Sequence, residues 1–534
     1  MTDPISDIRG YHQRTKHHFQ HYARGPSSLD WDSQPDGFLR HEGARLLPLP
    51  LCHSAPTPPF VDLGRSAIPA QPLSVASLGL FLELGFGLSA WKAYGAQRWP
   101  LRNNPSSGNL HPTETWVILP EQTALPAGLY HYAPAEHGLE ERARFDAAAA
   151  PRPQEGFWLA FSSLPWREAW KYGERAFRYC QHDVGHALGA ACYAAACLGW
   201  SVRILTTPSD ETLAAWLGLT RPEAGCPEEA HWPDVIAWVT LGATPSEDPP
   251  LPICPSLWFG QAQPLSPEHV AWPVIDAAES FSRRTAHDAA RDHAMPTPSQ
   301  PLIVPDGPAL PAGTVIRQRR SAQRMQKGIG LSQATLQRMF AATLPSSDGP
   351  LWRGVPWAPS LALLLWCHQV EGLEPGLYLF PRAPDHVPRL QAAMDPDFLW
   401  QDCALGDLPL WRLAPGDLRS EAARLCCQQA IAGHGAVSLG MVADFSRTLE
   451  QAGDWAYRRL HWEAGMIGQA LYLEATAAGL AGTGIGCFFD DGVHQRLGLR
   501  GMDWQTLYHF TIGAAVEDAR LTTHPPYPGR MGEA

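Results

Sequence analysis

The chain carries the same landmarks twice in the same order, and this duplication limits its possible folds more than any other feature. The offset from Arg178 to Arg458 is 280 positions, and other landmarks keep it. These pairs are Gly185 and Gly465, Gly199 and Gly479, and Leu217-Gly-Leu219 and Leu497-Gly-Leu499. Two further pairs recur at other offsets, as insertions would produce: Gly128-Leu-Tyr130 with Gly376-Leu-Tyr378, and Thr240-Leu-Gly-Ala243 with Thr511-Ile-Gly-Ala514. Such a repeat predicts two copies of one structural unit.

Each copy mixes helical and extended segments. Residues 187–198 and 467–480 are rich in Ala and Leu at helical spacing, and a glycine, Gly199 or Gly479, marks the end of each predicted helix. Residues 234–241 and 507–512 carry β-branched and aromatic side chains and are followed by a glycine, which predicts buried strands. The sequence therefore predicts an α+β unit that occurs twice.

The domain boundaries follow from length and proline content. A chain of 534 residues is longer than a typical domain of about 100–200 residues. Residues 246–312 are rich in proline, which favours an extended connection between the copies. We predict an N-terminal extension at residues 1–65, a first domain at 66–245, this connection at 246–312 and a second domain at 313–534.

Charge, hydropathy and cysteine usage exclude several classes of protein. The formal net charge is -12 and the sequence pI is about 6.0, so no basic footprint for nucleic acid is expected. Apolar runs such as residues 361–366 are too short to span a bilayer, so no membrane partner is expected. The eleven cysteines include no Cys-x-x-Cys pair, and the first residues lack the apolar core of a signal peptide, which predicts a cytoplasmic location.

One loop concentrates small polar side chains. Pro105-Ser-Ser-Gly-Asn109 precedes the apolar residues 115–119, and Pro105 and Gly108 favour a bend that directs hydroxyl, amide and backbone groups towards one ligand. Such a loop can hold a flat polar cofactor. The same residues would also form an ordinary Asx or Ser/Thr turn, and the loop alone does not distinguish the two interpretations.

Other titratable residues are interpreted as structural, and no metal site is predicted. The N-terminal histidines lack carboxylate or thiol neighbours at ligand spacing: His12, His17, His18 and His21. Cys180, Cys426 and Cys427 are interpreted as buried small hydrophobic residues, since no cysteine has an evident basic neighbour and resolving partner. Arg175, Arg178 and Tyr179 are expected to pair with Glu174 or Asp183, and His111 and His186 to lie satisfied in a packed interface.

Four features together resemble the FMN-dependent nitroreductase superfamily. They are the Pro105-Ser-Ser-Gly-Asn109 loop, Arg319-Arg-Ser321 at the start of the second copy, Gly482-Thr-Gly-Ile-Gly486 after its long helix, and the closing strand. More narrowly, Lys171-Tyr-Gly-Glu-Arg-Ala-Phe-Arg-Tyr179 followed by Gly185-His186 resembles the SagB-type (McbC-like) dehydrogenases, which oxidise azoline rings in peptide natural products. The resemblance implies an α+β fold that works as an intertwined dimer with FMN at the interface. A fused tandem chain would supply this pseudo-dimer internally and could act as a monomer.

The resemblance also implies one composite FMN site per chain. In the family, an Arg-Arg-Ser segment holds the flavin phosphate, a glycine-containing segment lies beside the ring, and a Pro-Ser-Ser loop comes from the partner. The first copy opens with one arginine, in residues 60–67, and the second reads Pro356-Trp-Ala-Pro-Ser-Leu361 at its loop, so each copy lacks one half. The implied cofactor residues are Pro105, Ser106, Ser107, Asn109, Arg319, Arg320, Ser321, Gly484, Ile485, Gly486 and Cys487.

Arg319 and Arg320 suit a phosphate because their guanidinium groups are planar and permanently charged. We expect them just before a helix. The alternative is a solvated basic run. Gln323 stands where the family usually has a further basic residue, and Arg324 follows it, which leaves a third phosphate contact open.

The resemblance implies that Lys171 or Tyr172 is the general base, paired with hydride transfer to FMN. The second copy has Gln451-Ala452 at the equivalent positions. The structural alternative is a snorkelling lysine and an interfacial tyrosine at a helix start.

The leading functional hypothesis is an FMN-dependent oxidoreductase of SagB type. It would act on a heterocycle, peptide or small-metabolite substrate, with NAD(P)H or O2 as candidate redox partners. Two alternatives stay open: an NAD(P)H-dependent nitro or quinone reductase, and a non-catalytic flavin-binding or scaffolding subunit of a biosynthetic complex.

Overall fold

The computed structural model describes most of the chain. The described residues are 4–52, 55–63, 68–120, 125–146, 156–242, 251–288, 304–345 and 349–530. The helices are α1 Ile8–Arg14, α2 Val75–Phe86, α3 Pro165–Tyr172, α4 Ala176–Cys197, α5 Asp210–Leu217, α6 Pro273–Phe281, α7 Ala312–Gln318, α8 Gln333–Ala341, α9 His386–Ala393, α10 Arg419–Leu425, α11 Ile431–His434, α12 Phe445–Ala452, α13 Ala456–Ala477 and α14 Asp490–Leu497.

The strands follow the same duplicated plan. They are β1 His41–Glu42, β2 Arg45–Pro48, β3 Leu88–Tyr94, β4 Gln97–Arg102, β5 Thr113–Leu119, β6 Gly128–Ala133, β7 Gly138–Arg144, β8 Gly156–Ser163, β9 Ser201–Leu205, β10 Trp232–Thr240, β11 Leu257–Trp258, β12 Gln261–Ala262, β13 Leu361–Cys367, β14 Gly376–Phe380, β15 Gln401–Asp402, β16 Trp411–Pro415, β17 Val437–Asp444, β18 Ala481–Ile485, β19 Trp504–Gly513 and β20 Thr522–His524.

Each copy builds one antiparallel sheet, and the two sheets share their central strand order. The first sheet contains β6-β5-β8-β10-β9 and the second contains β14-β13-β17-β19-β18 in the corresponding places. Strands β10 and β19 are fully buried along their length, as their β-branched and aromatic residues predict. The predicted α+β fold of two fused, related domains is therefore confirmed.

A long helix lies at the centre of each copy, and both extend further towards the N-terminus than the Ala- and Leu-rich residues alone predict. Helices α4 and α13 each contain 22 residues. Both end just before a glycine with positive φ, +69° at Gly199 and +72° at Gly479. This is the conformation in which glycine commonly ends a helix, because it has no Cβ to clash there.

The two central helices cross at Gly185 and Gly465. A Cβ on Gly185 would overlap the backbone oxygen of Trp462, and a Cβ on Gly465 would overlap the backbone oxygen of His182. Since Trp462 is the repeat equivalent of His182, each copy presents the same surface to the other, as in a twofold dimer interface. The indole of Trp462 also donates a hydrogen bond of 2.7 Å to Gln181. The repeated glycines therefore permit backbone contact between the copies.

Segments outside the two sheets bind the copies together. In α1, His12 lies 3.1 Å from Gln505 in the second copy, and β20 near the C-terminus pairs with β3 of the first copy. The proline-rich connection is not entirely extended, because it contains helix α6, and its strand β11 pairs with β7. Pro273 stands at the first position of α6, where proline is compatible with a helix. No helix in the described parts of the chain has the length and apolar character needed to cross a membrane.

We predict that Gly185→Ala or Gly465→Ala destabilises the protein by about 1–3 kcal/mol, because the added methyl group meets rigid backbone rather than a movable side chain. Gly85→Ala is the matched control. It lies inside α2, and its Cβ would meet only Ala194 at an ordinary 3.9 Å. That control should be neutral or stabilising by up to about 1 kcal/mol, owing to the higher helix propensity of alanine. Denaturant unfolding measures the difference, and equal stability of all three variants would contradict the close crossing.

Candidate functional site

A cavity of about 590 Å³ lies between the two copies. This volume lies within the range of small-molecule and cofactor sites. Every residue predicted to bind a cofactor lines it: Pro105, Ser106, Ser107, Asn109, Arg319, Arg320, Ser321, Gly484, Ile485, Gly486 and Cys487. The structure thus brings the polar loop of the first copy to the arginine and glycine segments of the second.

The polar loop is held by a carboxylate beneath it. Ser107 donates both its backbone N–H and its hydroxyl to Asp183, each at 3.0 Å. Gly108 and Asn109 have φ of +59° and +61°, and Asn109 is one of the residue types that tolerate this region. A Cβ on Gly108 would lie 2.6 Å from the hydroxyl of Tyr172. The glycine therefore lets the loop approach Tyr172 closely.

The paired arginines come from the second copy and contact the first. Arg319 donates hydrogen bonds of 2.7 and 3.0 Å to the carbonyl oxygens of Asn103 and Arg102. The expectation that the arginines precede a helix is wrong: Arg319 caps the C-terminal end of α7. Cations are favoured at that end because the helix dipole is negative there. This end of the helix therefore offers no positive N-terminus to a bound anion.

The arginines have the properties of an anion site. Arg319 Nη1 is buried and has no hydrogen-bond partner among the described residues. Burial lowers the pKa of Arg319 to about 10 and also lowers that of Arg320. Neither arginine forms an ion pair with a described carboxylate. A bound anion would compensate for this desolvation, so the donor set fits a phosphate.

The glycine segment lies close to aromatic side chains. A Cβ on Gly484 would overlap the hydroxyl of Tyr508, and a Cβ on Gly486 would overlap the ring of Tyr179. The N–H of Gly484 donates to the Tyr472 hydroxyl at 2.9 Å, and that hydroxyl lies 2.9 Å from Ser321. These glycines keep the cavity wall flat where larger residues would fill it.

Lys171 and Tyr172 lie at one side of the cavity. They end helix α3 rather than starting a helix, so that part of the structural alternative is wrong. Tyr172 lines the cavity, and the Lys171 ammonium lies 5.4 Å from the centre of its ring. Burial, reinforced by the nearby Glu168 carboxyl, raises the pKa of Tyr172 well above its usual range. Its phenol therefore keeps its proton and is a hydrogen-bond donor at neutral pH.

Two buried carboxyl groups next to this pair were not predicted as site residues. Asp183 lines the cavity, and burial raises its pKa to about 7 against the opposing hydrogen bonds from Ser106 and Ser107. Both carboxyl oxygens of Glu168 are buried without a described hydrogen-bond partner, and burial raises its pKa well above the usual range. The sequence shows acidic residues near Lys171, but only the packing reveals that they are desolvated.

The expected partners of the helix residues are different in the structure. Arg175 and Arg178 pair with Asp490 of the second copy, at 3.1 and 2.9 Å, rather than with Glu174 or Asp183. Tyr179 lines the cavity. His186 also lines it and lies 3.1 Å from the Tyr508 hydroxyl, while its Nδ1 has no described partner. These partners are separated by more than 300 positions in the chain, so the sequence did not predict the contacts.

The pseudosymmetric position in the other half is filled by the chain itself. Ile204 is the repeat equivalent of Gly484, and its N–H donates a 2.9 Å hydrogen bond to Gly354. Trp357, in the loop that replaces Pro-Ser-Ser, is buried, and its ring lies 6.4 Å from that of Trp462. Glu463, the equivalent of Asp183, accepts the N–H of Ser360 at 3.0 Å. The single arginine of the first copy, Arg65, lies outside the described residues.

The cysteine interpretation is correct for two residues and wrong for one. Cys180 and Cys426 are buried, and burial raises the pKa of both thiols. Cys427 is partly exposed, as is Cys487 at the cavity wall. The two cysteines are 60 positions apart in the chain, so no local motif joins them.

The sequence model described as the nitroreductase family matches residues 70–226 and 384–514, one segment in each copy. The chain belongs to the nitroreductase family. Members of this family are flavin-dependent oxidoreductases, which agrees with a cavity that joins an arginine pair to a polar loop. The two matched segments make the chain a tandem nitroreductase-family protein.

One solved structure is similar in fold along most of the chain, and one curated protein is similar in sequence over a shorter stretch. A crystal structure named as that of a nitroreductase from Anabaena variabilis covers 96% of this chain and all of its own, with 21% identity and a TM-score of 0.69. A curated Methanocaldococcus jannaschii protein with a nitroreductase name is 28% identical over 89 residues. That match spans 45% of the curated protein and 17% of this chain. The likeness to the Anabaena structure establishes a shared fold.

We predict that Asp183→Asn changes how stability depends on pH. The carboxyl has a folded pKa of about 7, above its ordinary value of 3.8. Between these values the folded protein holds a proton that the unfolded chain has released, so stability falls as pH rises from about 4 to about 7. The free energy of unfolding of the wild type should therefore decrease relative to that of Asp183→Asn as the pH rises through that window.

Denaturant unfolding at a series of pH values measures this difference. Asp397→Asn makes the same change at an exposed position and controls for the loss of one negative charge. Parallel pH profiles for the wild type and Asp183→Asn would contradict the raised pKa.

Proposed function

We propose that this protein is an FMN-dependent oxidoreductase of SagB type, with one FMN in the cavity between its copies. The observation that supports this most directly is that complementary half-sets of cofactor residues converge on that cavity. The substrate class we propose is a heterocycle in a peptide or small metabolite. This narrower assignment rests on the Lys171-Tyr172 motif and on its position beside the cavity.

Each part of the cavity has a proposed role towards FMN. Arg319 and Arg320 would hold the phosphate, because they are desolvated cations without a described carboxylate partner. Ser106, Ser107 and Asn109 would contact polar groups of the cofactor, and the flat glycine wall from Gly484 to Gly486 would lie beside its ring. FMN supplies the hydride chemistry when bound, and the protein supplies its binding and orientation.

Lys171 and Tyr172 would handle the substrate proton. The raised pKa of Tyr172 favours a hydrogen-bond donor that orients the substrate, which leaves the Lys171 amine as the candidate base. Asp183 holds the polar loop against this pair through Ser107, so it positions the loop rather than the substrate in this proposal. The second copy has Gln451-Ala452 instead and would not repeat the chemistry.

We predict that Arg319→Ala weakens FMN binding by about 10- to 100-fold, equivalent to about 1.5–3 kcal/mol for hydrogen bonds to a charged group. Arg324→Ala is the matched control, because Arg324 is an exposed arginine in the same segment and does not line the cavity. Fluorescence titration of the flavin-free protein with FMN measures both affinities, and extraction of the flavin gives its amount per chain. An equal loss of FMN affinity in Arg319→Ala and Arg324→Ala would contradict the assignment of Arg319 to the phosphate.

The expected stoichiometry is one FMN per chain, because the pseudosymmetric position is filled around Gly354 and Trp357. Two FMN molecules per chain would contradict the composite site. A colourless protein that cannot be reconstituted with FMN would instead favour a scaffolding subunit.

We predict that Lys171→Met and Tyr172→Phe lower azoline oxidation by at least about 100-fold, the usual contribution of a positioned acid or base, while FMN content stays unchanged. The probes are peptides that contain a thiazoline or oxazoline ring, with ring oxidation followed by the loss of 2 mass units per ring. A nitroarene with NAD(P)H is assayed in parallel. Full NAD(P)H oxidation in both variants, with no activity towards any azoline peptide, would favour the nitro or quinone reductase alternative.

A further inference from the structure

Three side chains with different ligand atoms meet where the proline-rich connection contacts the first copy. Cys226 and Glu229 lie just before β10, and His269 lies in the connection just before α6. One ligand atom of each residue, a sulfur, a carboxylate oxygen and an imidazole nitrogen, lies within 4.8 Å of the other two. None of the three residues lines the cavity between the copies, so this cluster is separate from the proposed FMN site.

The local backbone brings two of these side chains together. Cys226 precedes a short 3₁₀ helix, Pro227–Glu229, and its carbonyl oxygen accepts the N–H of Glu229 at 3.0 Å. Such a bond closes a tight turn, in which side chains three positions apart lie on the same side. Pro227 suits the first position of the turn, where no N–H is needed. The thiol and the carboxylate are therefore presented together, and His269 joins them from 40 positions further along.

The carboxylate of Glu229 is held in one orientation. It accepts the backbone N–H groups of Leu265 and Ser266, each at 2.9 Å, and Nε2 of His269 lies 2.8 Å from it. Carboxylates that bind metals are commonly oriented by such hydrogen bonds. The Glu229 side chain is only 3% exposed, and its ion-pair partner His269 carries a charge only when it is protonated. A divalent cation at this position would compensate the buried negative charge.

A second cluster of possible ligands does not need an ion. His41, His131 and Glu140 are also close enough to share one, but all three side chains are buried. His131 lies between two carboxylates, 3.0 Å from Glu140 and 2.9 Å from Glu114, so its own ring protons satisfy both. Arg40 donates to Glu140 at 2.6 Å and compensates its charge. This group is a closed hydrogen-bond network, whereas the cluster around Glu229 is open to solvent at the cysteine and the histidine.

We propose that Cys226, Glu229 and His269 bind one Zn²⁺ ion, which fastens the proline-rich connection to the first copy. Thiolate and imidazole ligands favour Zn²⁺ over Mg²⁺ and Ca²⁺, which prefer oxygen. Zinc–ligand bonds of about 2.0–2.3 Å place tetrahedral ligand atoms about 3.3–3.6 Å apart, so small side-chain movements suffice. Water would take the fourth position, on the side open to solvent. Binding releases the thiol proton and the proton between His269 and Glu229.

Cobalt(II), a spectroscopic substitute for zinc, tests the ligand set. The full chain is kept reduced, freed of metal with EDTA, dialysed and titrated with CoCl2, and difference spectra remove the absorbance of any bound flavin. We expect one equivalent of Co²⁺ to give a thiolate charge-transfer band together with the strong visible absorption of four-coordinate cobalt, and ZnCl2 to abolish both. Cobalt that binds without the charge-transfer band, or does not bind, would overturn the proposal.

Variants assign the site to these residues. Cys226→Ser should remove the charge-transfer band. Cys226→Ser and His269→Gln should each weaken Zn²⁺ binding, measured by competition with a chromophoric chelator, by at least about 10-fold, because loss of a group that only supports a ligand already costs about 10- to 100-fold. Cys254→Ser and His524→Gln are the matched controls, since both residues are exposed and lie outside the cluster. Wild-type affinity in all four variants, or an equal loss in the controls, would overturn the assignment.

Hydrogen exchange with and without ZnCl2 tests the fastening role. The N–H groups of Leu265 and Ser266 donate to Glu229, so peptides that contain them should exchange more slowly when the wild type holds Zn²⁺. The same peptides in Cys226→Ser should exchange at one rate with and without ZnCl2. Unchanged exchange in the zinc-loaded wild type would overturn the fastening role. None of these measurements requires flavin, so they stand whether or not FMN binds.

Discussion

The backbone contact between α4 and α13 at Gly185 and Gly465 is the constraint on which the rest of the structure depends. It exists only because neither glycine carries a Cβ, and it fixes the distance between the two copies. A larger residue would separate the helices, and with them the loop around Ser107 and the segment around Arg319. Since residues of both copies line the cavity, it depends on how the copies pack and not on either domain alone.

Duplication removed a requirement that a symmetric dimer must meet. In a homodimer, a residue that completes one site completes its symmetry mate as well, so neither can be lost. In the fused chain the two pseudosymmetric sites are free to differ, and the two copies have kept different parts of the site. Asp183 and Glu463 each accept a backbone N–H from equivalent loops, but only in the first loop does a serine hydroxyl, that of Ser107, also donate to the carboxylate, and Trp357 is buried in the second loop.

The repeat, the central helices and the buried strands could be predicted from the sequence, because periodicity and glycine positions are local signals. The sequence also picked out the polar loop, the arginine pair and the glycine segment that line the cavity, since each motif is contiguous. What could not be predicted is pairing across long separations. The ion pairs of Arg175 and Arg178 with Asp490 join residues more than 300 positions apart. The desolvation of Glu168 depends on packing that no short motif encodes.

The carboxylate of Asp490 shows how these long-range contacts organise the site. It is fully buried, so its charge would be costly without partners, and two arginines of the first copy together with the N–H of His17 satisfy it. This cluster fixes three segments relative to one another: the start of α4, the N-terminal segment and the turn before α14. Cys487 lies in that turn and lines the cavity. The contacts that hold the copies together therefore also fix the backbone next to the cavity wall, where Arg175 donates to the carbonyl oxygen of Gly486.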